Sequence, residues 1–213
     1  MNYPSSLKLS APATERNREP ILSVLQRVLP QTGTVLEVAS GTGEHAVFFA
    51  PRLQPRFWQP SEPEARSRGS IDAWRSELGA DNLLPPLNID VRSPTWAVET
   101  ESATPQNLPD ITAIAAINLL HISPWESTLG LMAGANRILN PGGILYLYGA
   151  FKKKGQHTAP SNEAFDQMLQ WQNPTWGVRD LEEVVEVAQK NHLTLIETLD
   201  MPANNLSVVF QRQ

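Results

Sequence analysis

The feature that most constrains this 213-residue chain is a short apolar strand that runs into two closely spaced glycines and then into a helix. The strand covers residues 34–39 (TVLEVA), Gly41 and Gly43 form the turn, and the following helix carries apolar residues as far as Leu53. Glycine adopts positive φ angles and lets a ligand approach the backbone closely, while a helix start offers free N–H groups. This pattern favours an α/β fold in which the first strand leads into a turn that binds the adenosine end of a cofactor.

Strands and helices alternate along the rest of the chain. The strands are predicted at residues 34–39, 56–60, 87–91, 111–119, 144–148, 193–199 and 206–211. The helices are predicted at residues 17–29, after Gly43, from 61–63 to about 78, and at 125–139, 162–171 and 180–191, with a long loop at 93–109. Because the strands are apolar on both faces, the pattern indicates a doubly wound, mostly parallel sheet of seven strands in a single domain over residues 1–213.

Composition and charge exclude several classes of function. The 17 basic and 22 acidic residues leave a net charge of −5 without basic blocks, which disfavours a nucleic-acid partner. The chain has no cysteine and its four histidines lack the spacing of metal ligands, so we predict no disulfide, catalytic thiol or metal site. Residues 1–20 lack a signal-peptide pattern, and the longest apolar run, 111–120, is about half the length of a membrane span. We therefore expect a soluble cytoplasmic protein without a membrane partner.

Two cofactors compete for the glycine turn. Residues 41–46 (GTGEHA) satisfy the dinucleotide fingerprint, with Glu62 about 20 residues further on as the acid that binds the ribose. A pyrophosphate at the helix N-terminus would meet the carboxylates of Glu44 and Glu37, and the like charges would repel. S-adenosylmethionine (SAM) suits these acids better, because it has no phosphate and carries an ammonium and a sulfonium. Glu44 is equally explained as a partner of the helix dipole.

The turn also carries a family resemblance. Glu37-x-Ala39-x-Gly41-x-Gly43 resembles the first motif of class I SAM-dependent methyltransferases, acidic-x-Gly-x-Gly-x-Gly, and departs from it at Ala39. Further segments resemble one methyltransferase-like family long labelled as a domain of unknown function: residues 16–21, 35–45, 58–62, 118–121, 176–180 and 201–205. The resemblance extends from about residue 10 to residue 212. It implies the class I fold, with an antiparallel last strand, and SAM as the cofactor, but it does not supply a substrate.

The resemblance assigns roles to the residues of the turn. It implies that Glu37 joins the hydrogen-bond network of the loop or reaches the methionine ammonium of SAM. It implies that Ala39, Gly41 and Gly43 line the methionine and ribose of the cofactor.

The same resemblance assigns roles after three later strands. Glu62 would accept the ribose hydroxyls, Asp90 and Val91 would hold the adenine edge, and Asn118 would hold the ammonium end of SAM, mainly by its backbone carbonyl. Structural alternatives remain open for three of them. Glu62 also suits a helix start, Asp90 suits a turn cap, and Asn118 lies where the backbone pairing of its strand stops.

Two residues are candidates for the acceptor side of the site. His121 follows the fourth predicted strand by two residues, so it belongs at the carboxyl edge of the sheet, where it could deprotonate a methyl acceptor. The alternative is a hydrogen-bonded histidine that packs on Trp125. Arg179 could clamp a substrate carboxylate. Alignment alone supplies much of the rate of methyl transfer, so a base is not essential.

The sequence thus predicts a SAM-dependent methyltransferase that acts on an unidentified small-molecule acceptor. One alternative is a SAM-binding or interaction protein without catalysis, which the alanine at position 39 makes credible. The other is an NAD(P)-dependent oxidoreductase, which Glu37 and Glu44 disfavour.

Overall fold

A computed structural model describes residues 7–78, 80–100 and 109–213. Nine strands form in this part of the chain: β1 (Thr34–Val38), β2 (Phe57–Pro60), β3 (Ile111–Ile117), β4 (Ile144–Gly149), β5 (Phe151–Lys153), β6 (Gln156–His157), β7 (Arg179–Asp180), β8 (Leu193–Met201) and β9 (Asn205–Arg212). Six helices accompany them: α1 (Pro12–Val28), α2 (Glu44–Phe49), α3 (Ala65–Leu78), α4 (Trp125–Ile138), α5 (Pro160–Gln172) and α6 (Leu181–Lys190).

Six of these strands form the main sheet, in the order β2-β1-β3-β4-β9-β8. Strands β1 to β4 run parallel to one another, and β9 runs antiparallel to both β4 and β8. The predicted α/β architecture, with an antiparallel last strand, is confirmed. A smaller sheet of order β6-β5-β7 lies beyond the end of β4.

Both faces of the main sheet are buried, as the apolar strands require. Along β3, Ile114 and Ala116 belong to the core that contains α4 and α6, while Ala113, Ala115 and Ile117 belong to the core that contains α1 and α2. Side chains alternate between the faces of a strand, so a strand that is apolar throughout supplies two cores at once. The helices consequently cover the sheet on both sides, and the loops after β1, β2 and β3 meet at its carboxyl edge.

The predicted strand at residues 87–91 is absent, so the main sheet has six strands instead of seven. The chain runs beside β2 through two isolated bridges, Trp58 with Leu83 and Ser61 with Leu87. Ser61 already lies past Pro60, the last residue of β2, so residues 88–91 extend beyond the end of that strand. Ile89 and Val91 are nevertheless buried.

Two helices begin earlier than the sequence predicts. Helices α1 and α5 begin at Pro12 and Pro160, earlier than expected, because proline suits the first helical position. Within the predicted loop at 93–109, residues 97–99 form one 3₁₀ turn, and residues 101–108 lie outside the described part of the chain. Among the described residues, no helix has both the length and the apolar character needed to cross a membrane.

The packing of Trp96 on α4 gives a test of this core. Trp96 is 1% exposed, and a Cβ on Gly134 would lie 2.1 Å from its ring. We expect Gly134→Ala to lower the free energy of unfolding by about 1–3 kcal/mol, because the ring has no room to move. Gly69→Ala on α3 is the matched control, since a Cβ there meets nothing within 4 Å. It should raise stability by up to about 1 kcal/mol. If urea unfolding gives the same change in the free energy of unfolding for both variants, the proposed packing of Trp96 on Gly134 is contradicted.

Candidate functional site

The loop after β1 is a left-handed turn. Its alternate residues Ala39, Gly41 and Gly43 have φ angles of 53°, 56° and 91°. Glycine adopts this region freely, whereas an L-residue does so at about 1–2 kcal/mol, which explains the glycine spacing of the motif. Ala39 adopts the backbone of a glycine, so the substitution in the motif preserves the shape of the turn.

The two glycines of the loop have different surroundings. A Cβ on Gly43 would lie 2.8 Å from the Cα of Ile71, so this position is glycine because α3 packs against it. A Cβ on Gly41 would meet nothing within 4 Å, and Gly41 lines an open cavity. A ligand can therefore approach the backbone closely at Gly41, as the sequence predicts for both glycines. At Gly43 the backbone is instead in contact with α3.

Glu62 ties this loop to the end of β2. Its Oε2 accepts a hydrogen bond from the Gly41 N–H at 3.0 Å, and its Oε1 accepts one from the Glu64 N–H at 3.3 Å. Desolvation raises the pKa of Glu62, and these backbone bonds partly offset the rise. Glu62 thus combines the two alternatives of the sequence analysis, because it starts the α3 segment and also faces the glycine loop.

A cavity of about 370 Å³ lies under the glycine loop, and we call it the loop cavity. Its walls combine apolar side chains with two acids and come from the loops after β1, β2 and β3. The lining residues are Ala39, Gly41, Glu62, Pro63, Ile89, Asp90, Val91, Arg92, Ile117, Leu119, Ile122, Ser123, Pro124, Ser127 and Trp176. Five of the residues predicted to bind the cofactor are therefore together: Ala39, Gly41, Glu62, Asp90 and Val91.

The carboxylate of Asp90 is held by an arginine of its own turn. Arg92 donates to it from Nε at 3.0 Å and from Nη2 at 2.7 Å, and the Arg92 N–H adds a third bond at 2.9 Å. The guanidinium lowers the pKa of Asp90, which stays ionised. Asp90 is thus a turn cap, as the structural alternative proposed, and it also stands in the wall of the loop cavity.

Glu37 lies behind the loop instead of inside the cavity. Its carboxylate is 1% exposed and accepts a hydrogen bond from the Trp58 Nε1–H at 3.0 Å. Its backbone carbonyl accepts one from the Ser61 N–H at 2.8 Å. Burial raises the pKa of Glu37 to about 7. Of the two roles considered for Glu37, this geometry favours the loop network over direct contact with an ammonium group.

Glu44 connects the glycine loop to the start of α1. Its carboxylate accepts hydrogen bonds from the Ser10 hydroxyl at 2.9 Å, from the Thr42 hydroxyl at 2.9 Å and from the Ala11 N–H. A carboxylate at the start of α2 also complements the dipole of that helix. Glu44 therefore fixes the segment before α1 onto the loop.

A second cavity of about 660 Å³ lies at the carboxyl edge of β3 and β4, and we call it the rim cavity. Polar amides and apolar side chains form its walls. The lining residues are Ala13, Arg16, Asn17, Asn118, His121, Ile122, Tyr148, Ala150, Ser161, Asn162, Phe165, Pro202, Ala203, Asn204 and Asn205. Ile122 lines both cavities, so they adjoin at this residue.

Asn118 turns the chain between the two cavities. Its φ angle is 60°, a left-handed conformation that asparagine tolerates better than most residues, and its N–H donates to the Tyr148 carbonyl at 2.8 Å. The preceding residue, Ile117, lines the loop cavity, whereas Asn118 lines the rim cavity. The chain therefore passes from the wall of the loop cavity to the wall of the rim cavity at Asn118.

His121 is enclosed in the wall of the rim cavity. It is 5% exposed, and its ring meets the ring of Phe165 edge to face at a centroid distance of 5.3 Å. The sequence alternative had placed it on Trp125. A Cβ on Gly149 would lie 2.9 Å from the His121 Nδ1, so the imidazole packs closely against the backbone of Gly149. Burial, with the charge of Arg179, lowers the pKa of His121 to about 4, so the imidazole is neutral at pH 7.

Arg179 braces the turn that carries His121. Its Nε donates to the Leu120 carbonyl at 3.1 Å, and its Nη2 donates to the carbonyls of Ser123 at 2.6 Å and Thr175 at 2.8 Å. Arg179 lines neither the loop cavity nor the rim cavity, but it lines a third cavity of about 800 Å³ with Trp125 and Trp176. Its hydrogen bonds make the guanidinium a positioning group for residues 120–123, and the clamp on a substrate carboxylate stays a prediction.

Sequence reasoning missed the contributions of α1 and α5. Asn17 is 8% exposed and its Oδ1 lies 2.8 Å from the His45 Nε2. Phe165 and Asn162 show only the amphipathic pattern of a helix, which does not reveal that α5 lines the rim cavity. Asn204, in the tight turn between β8 and β9, has a φ of 58°. Among the described residues, no cluster of three or more potential metal ligands is present.

Comparisons with known proteins agree with the fold and the family resemblance predicted from the sequence. A family model described as "Protein of unknown function (DUF938)" matches residues 8–212. An O-methyltransferase family protein from Burkholderia thailandensis is 14% identical with a TM-score of 0.76, over 94% of this chain and 57% of that one. Human N-acetylserotonin methyltransferase in complex with SAM is 11% identical with a TM-score of 0.70, over 94% and 52%. An O-methyltransferase family 2 protein from Planctomyces limnophilus in complex with apigenin is 16% identical with a TM-score of 0.71, over 94% and 60%.

These likenesses establish the fold of class I methyltransferases. The chain spans little more than half the length of these solved proteins. The family match covers nearly the whole chain, in agreement with the resemblance found in the sequence.

The buried carboxylate behind the loop predicts a pH dependence. Glu37 has a pKa of about 7 in the folded chain, above the ordinary 4.5, so the folded state binds this proton more tightly. Its contribution to the free energy of unfolding therefore falls as the pH rises from about 4.5 to about 7. We expect the stability of Glu37→Gln relative to wild type to rise by about 2–3 kcal/mol between pH 5 and pH 8.

Urea unfolding at the two pH values measures this change. Glu15→Gln, on the exposed face of α1, is the matched control and should follow the wild type at both. A stability difference between Glu37→Gln and wild type that does not change with pH would contradict the assignment.

Proposed function

We propose that this chain, which belongs to the DUF938 family of proteins of unknown function, is a SAM-dependent methyltransferase that acts on a small-molecule acceptor. The observation that carries the proposal is the pair of adjoining cavities at the carboxyl edge of the sheet. The loop cavity, of about 370 Å³, lies under the glycine loop, and the rim cavity, of about 660 Å³, lies beside His121. Methyl transfer requires the cofactor and the acceptor to lie side by side, and the two cavities share Ile122 in their walls.

The hydrogen bonding of the loop supports SAM over a dinucleotide. In a dinucleotide site the backbone amides of the glycine turn bind the pyrophosphate. Here the Gly41 N–H already donates to the Glu62 carboxylate, so a phosphate would have to displace a like charge. SAM has no phosphate, and its positive charges are compatible with a wall that carries the Glu62 carboxylate beside the Asp90–Arg92 pair. The open space at Gly41 and the Glu62 carboxylate therefore fit this group.

We assign cofactor contacts to six of the eight predicted residues, because Glu37 and Gly43 line neither cavity. Glu62 would accept the ribose hydroxyls, and Ile89 and Val91 would contact the adenine ring, with the Asp90 turn at its edge. Ala39 and Gly41 would lie under the ribose and methionine, and Asn118 would present its carbonyl to the ammonium. SAM supplies an activated methyl group on its sulfonium.

The rim cavity would hold the acceptor. A neutral His121 imidazole can accept a hydrogen bond from a hydroxyl and orient it, and Arg179 keeps its turn in place. Orientation in a closed cavity supplies up to about 7–11 kcal/mol toward the barrier in favourable cases, and a base adds a factor of about 10²–10⁴. The complex of a fold relative with apigenin supports an acceptor of small-molecule size. We extend the proposal to residues 1–213 as one domain.

Thermal unfolding with added ligands tests the cofactor. We expect SAM and S-adenosylhomocysteine, each at about 100 times its dissociation constant, to raise the melting temperature by roughly 5–10 °C. NAD and NADP should leave it unchanged. A shift with NAD or NADP alone would overturn the proposal and make Glu62 a dinucleotide ribose acid. If none of the four ligands changes the melting temperature, the result would favour the alternative of a protein without catalysis.

A pair of glycine variants locates the binding site. Gly41→Ala places a methyl group in the loop cavity at a φ of 56°, whereas Gly142→Ala places one in open space at a φ of 89°, far along the chain in the turn after α4. Both should destabilise the unliganded protein by about 1–2 kcal/mol. We expect only Gly41→Ala to lose the shift with S-adenosylhomocysteine. Retention of the shift by Gly41→Ala would contradict the position of the cofactor.

A further inference from the structure

The rim cavity differs in charge from the rest of the protein. The chain has a net charge of −5, and the loop cavity has Glu62 and Asp90 in its wall. The described residues that line the rim cavity include no aspartate or glutamate, and Arg16 is the arginine among them. An amine acceptor is a cation at neutral pH, and a site for it would need a carboxylate or its equivalent. The charge of this cavity therefore favours an anion.

Arg16 is available to a ligand. It lies on the exposed face of α1, and no salt bridge joins it to an acid within the described residues. Other arginines of the same helix are engaged, because Arg18 lies over the Phe48 ring and Arg27 pairs with Glu197 at 2.7 Å. A guanidinium binds a carboxylate through two parallel hydrogen bonds, which also fixes the orientation of the ligand.

The remaining walls suit a flat apolar body with a polar end. Phe165, Ile122 and Ala150 line the cavity with apolar surface. His121 and Asn118 also line the cavity and supply its polar end. An aromatic ring against Phe165 would thus extend between an anion-binding end at Arg16 and a hydroxyl-binding end at His121.

We propose that the acceptor is a small aromatic hydroxy acid whose carboxylate pairs with Arg16 and whose hydroxyl oxygen is methylated beside His121. This inference rests on the proposed function and names the substrate class of the same site. In the step, the hydroxyl donates a hydrogen bond to the neutral His121 imidazole, its oxygen lone pair forms the new C–O bond to the methyl group, and its proton passes to solvent. The electron pair of the broken C–S bond stays on sulfur, which leaves S-adenosylhomocysteine. The developing oxyanion and the sulfonium neutralise each other, so an acidic group at this end would oppose the reaction.

Equilibrium binding in the presence of S-adenosylhomocysteine tests the inference. The probes are para-hydroxybenzoate, para-hydroxyphenylacetate and para-hydroxyphenylpropionate, each beside its neutral amide and the corresponding cationic amine, measured by calorimetry. We expect at least one acid to bind about tenfold more tightly than its amide and its amine. Arg16→Gln should abolish this preference. Arg27→Gln, which removes the same charge from the other end of α1, should retain it.

The outcomes separate the two proposals. If S-adenosylhomocysteine binds and acids bind no better than amides or amines, or none of the probes binds, the inference is overturned while the cofactor proposal stands. If the preference for acids survives in Arg16→Gln, the assignment of Arg16 is wrong. Failure of S-adenosylhomocysteine to bind the wild type would remove the proposed function and the inference with it.

Discussion

The hydrogen bond from the Gly41 N–H to the Glu62 carboxylate is the contact on which the site depends. It joins the left-handed loop after β1 to the end of β2, so the loop is shaped before any ligand arrives. The bond also uses the amide that a phosphate would need. One interaction therefore sets the shape of the loop cavity and selects the charge of its ligand.

Several buried polar contacts hold this loop in place. Behind it, the Glu37 carboxylate accepts from Trp58, and its carbonyl accepts from Ser61, which locks β1 against β2. In front, Glu44 fixes the segment before α1, and Asn17 of that helix contacts His45 of α2. Unpaired polar groups at these depths would be costly, so the network specifies a single arrangement of the loop. The position of α1 over the rim cavity follows from it.

The sequence predicted the fold and the glycine loop after β1, because both depend on local sequence pattern. Strands that are apolar on both faces predict a covered parallel sheet, and the spacing of Ala39, Gly41 and Gly43 matches their left-handed angles. The predicted strand at 87–91 is absent because Leu87 pairs with Ser61, just past the end of β2, and the apolar content of a segment does not show where its neighbour ends. The rim cavity could not be predicted, since residues from α1, α5 and the β8–β9 turn meet there only after folding. The role of Arg179 was likewise hidden, because its partners are backbone carbonyls about 60 residues away, at 120 and 123.

The most direct test of the central claim is a crystal structure of the protein with S-adenosylhomocysteine. We expect the adenosine to lie in the loop cavity, with the ribose hydroxyls on Glu62 and the ring against Val91. We also expect the thioether sulfur to face the rim cavity beside Asn118. A ligand bound outside the loop cavity, or one whose sulfur faces away from His121, would contradict the proposed site.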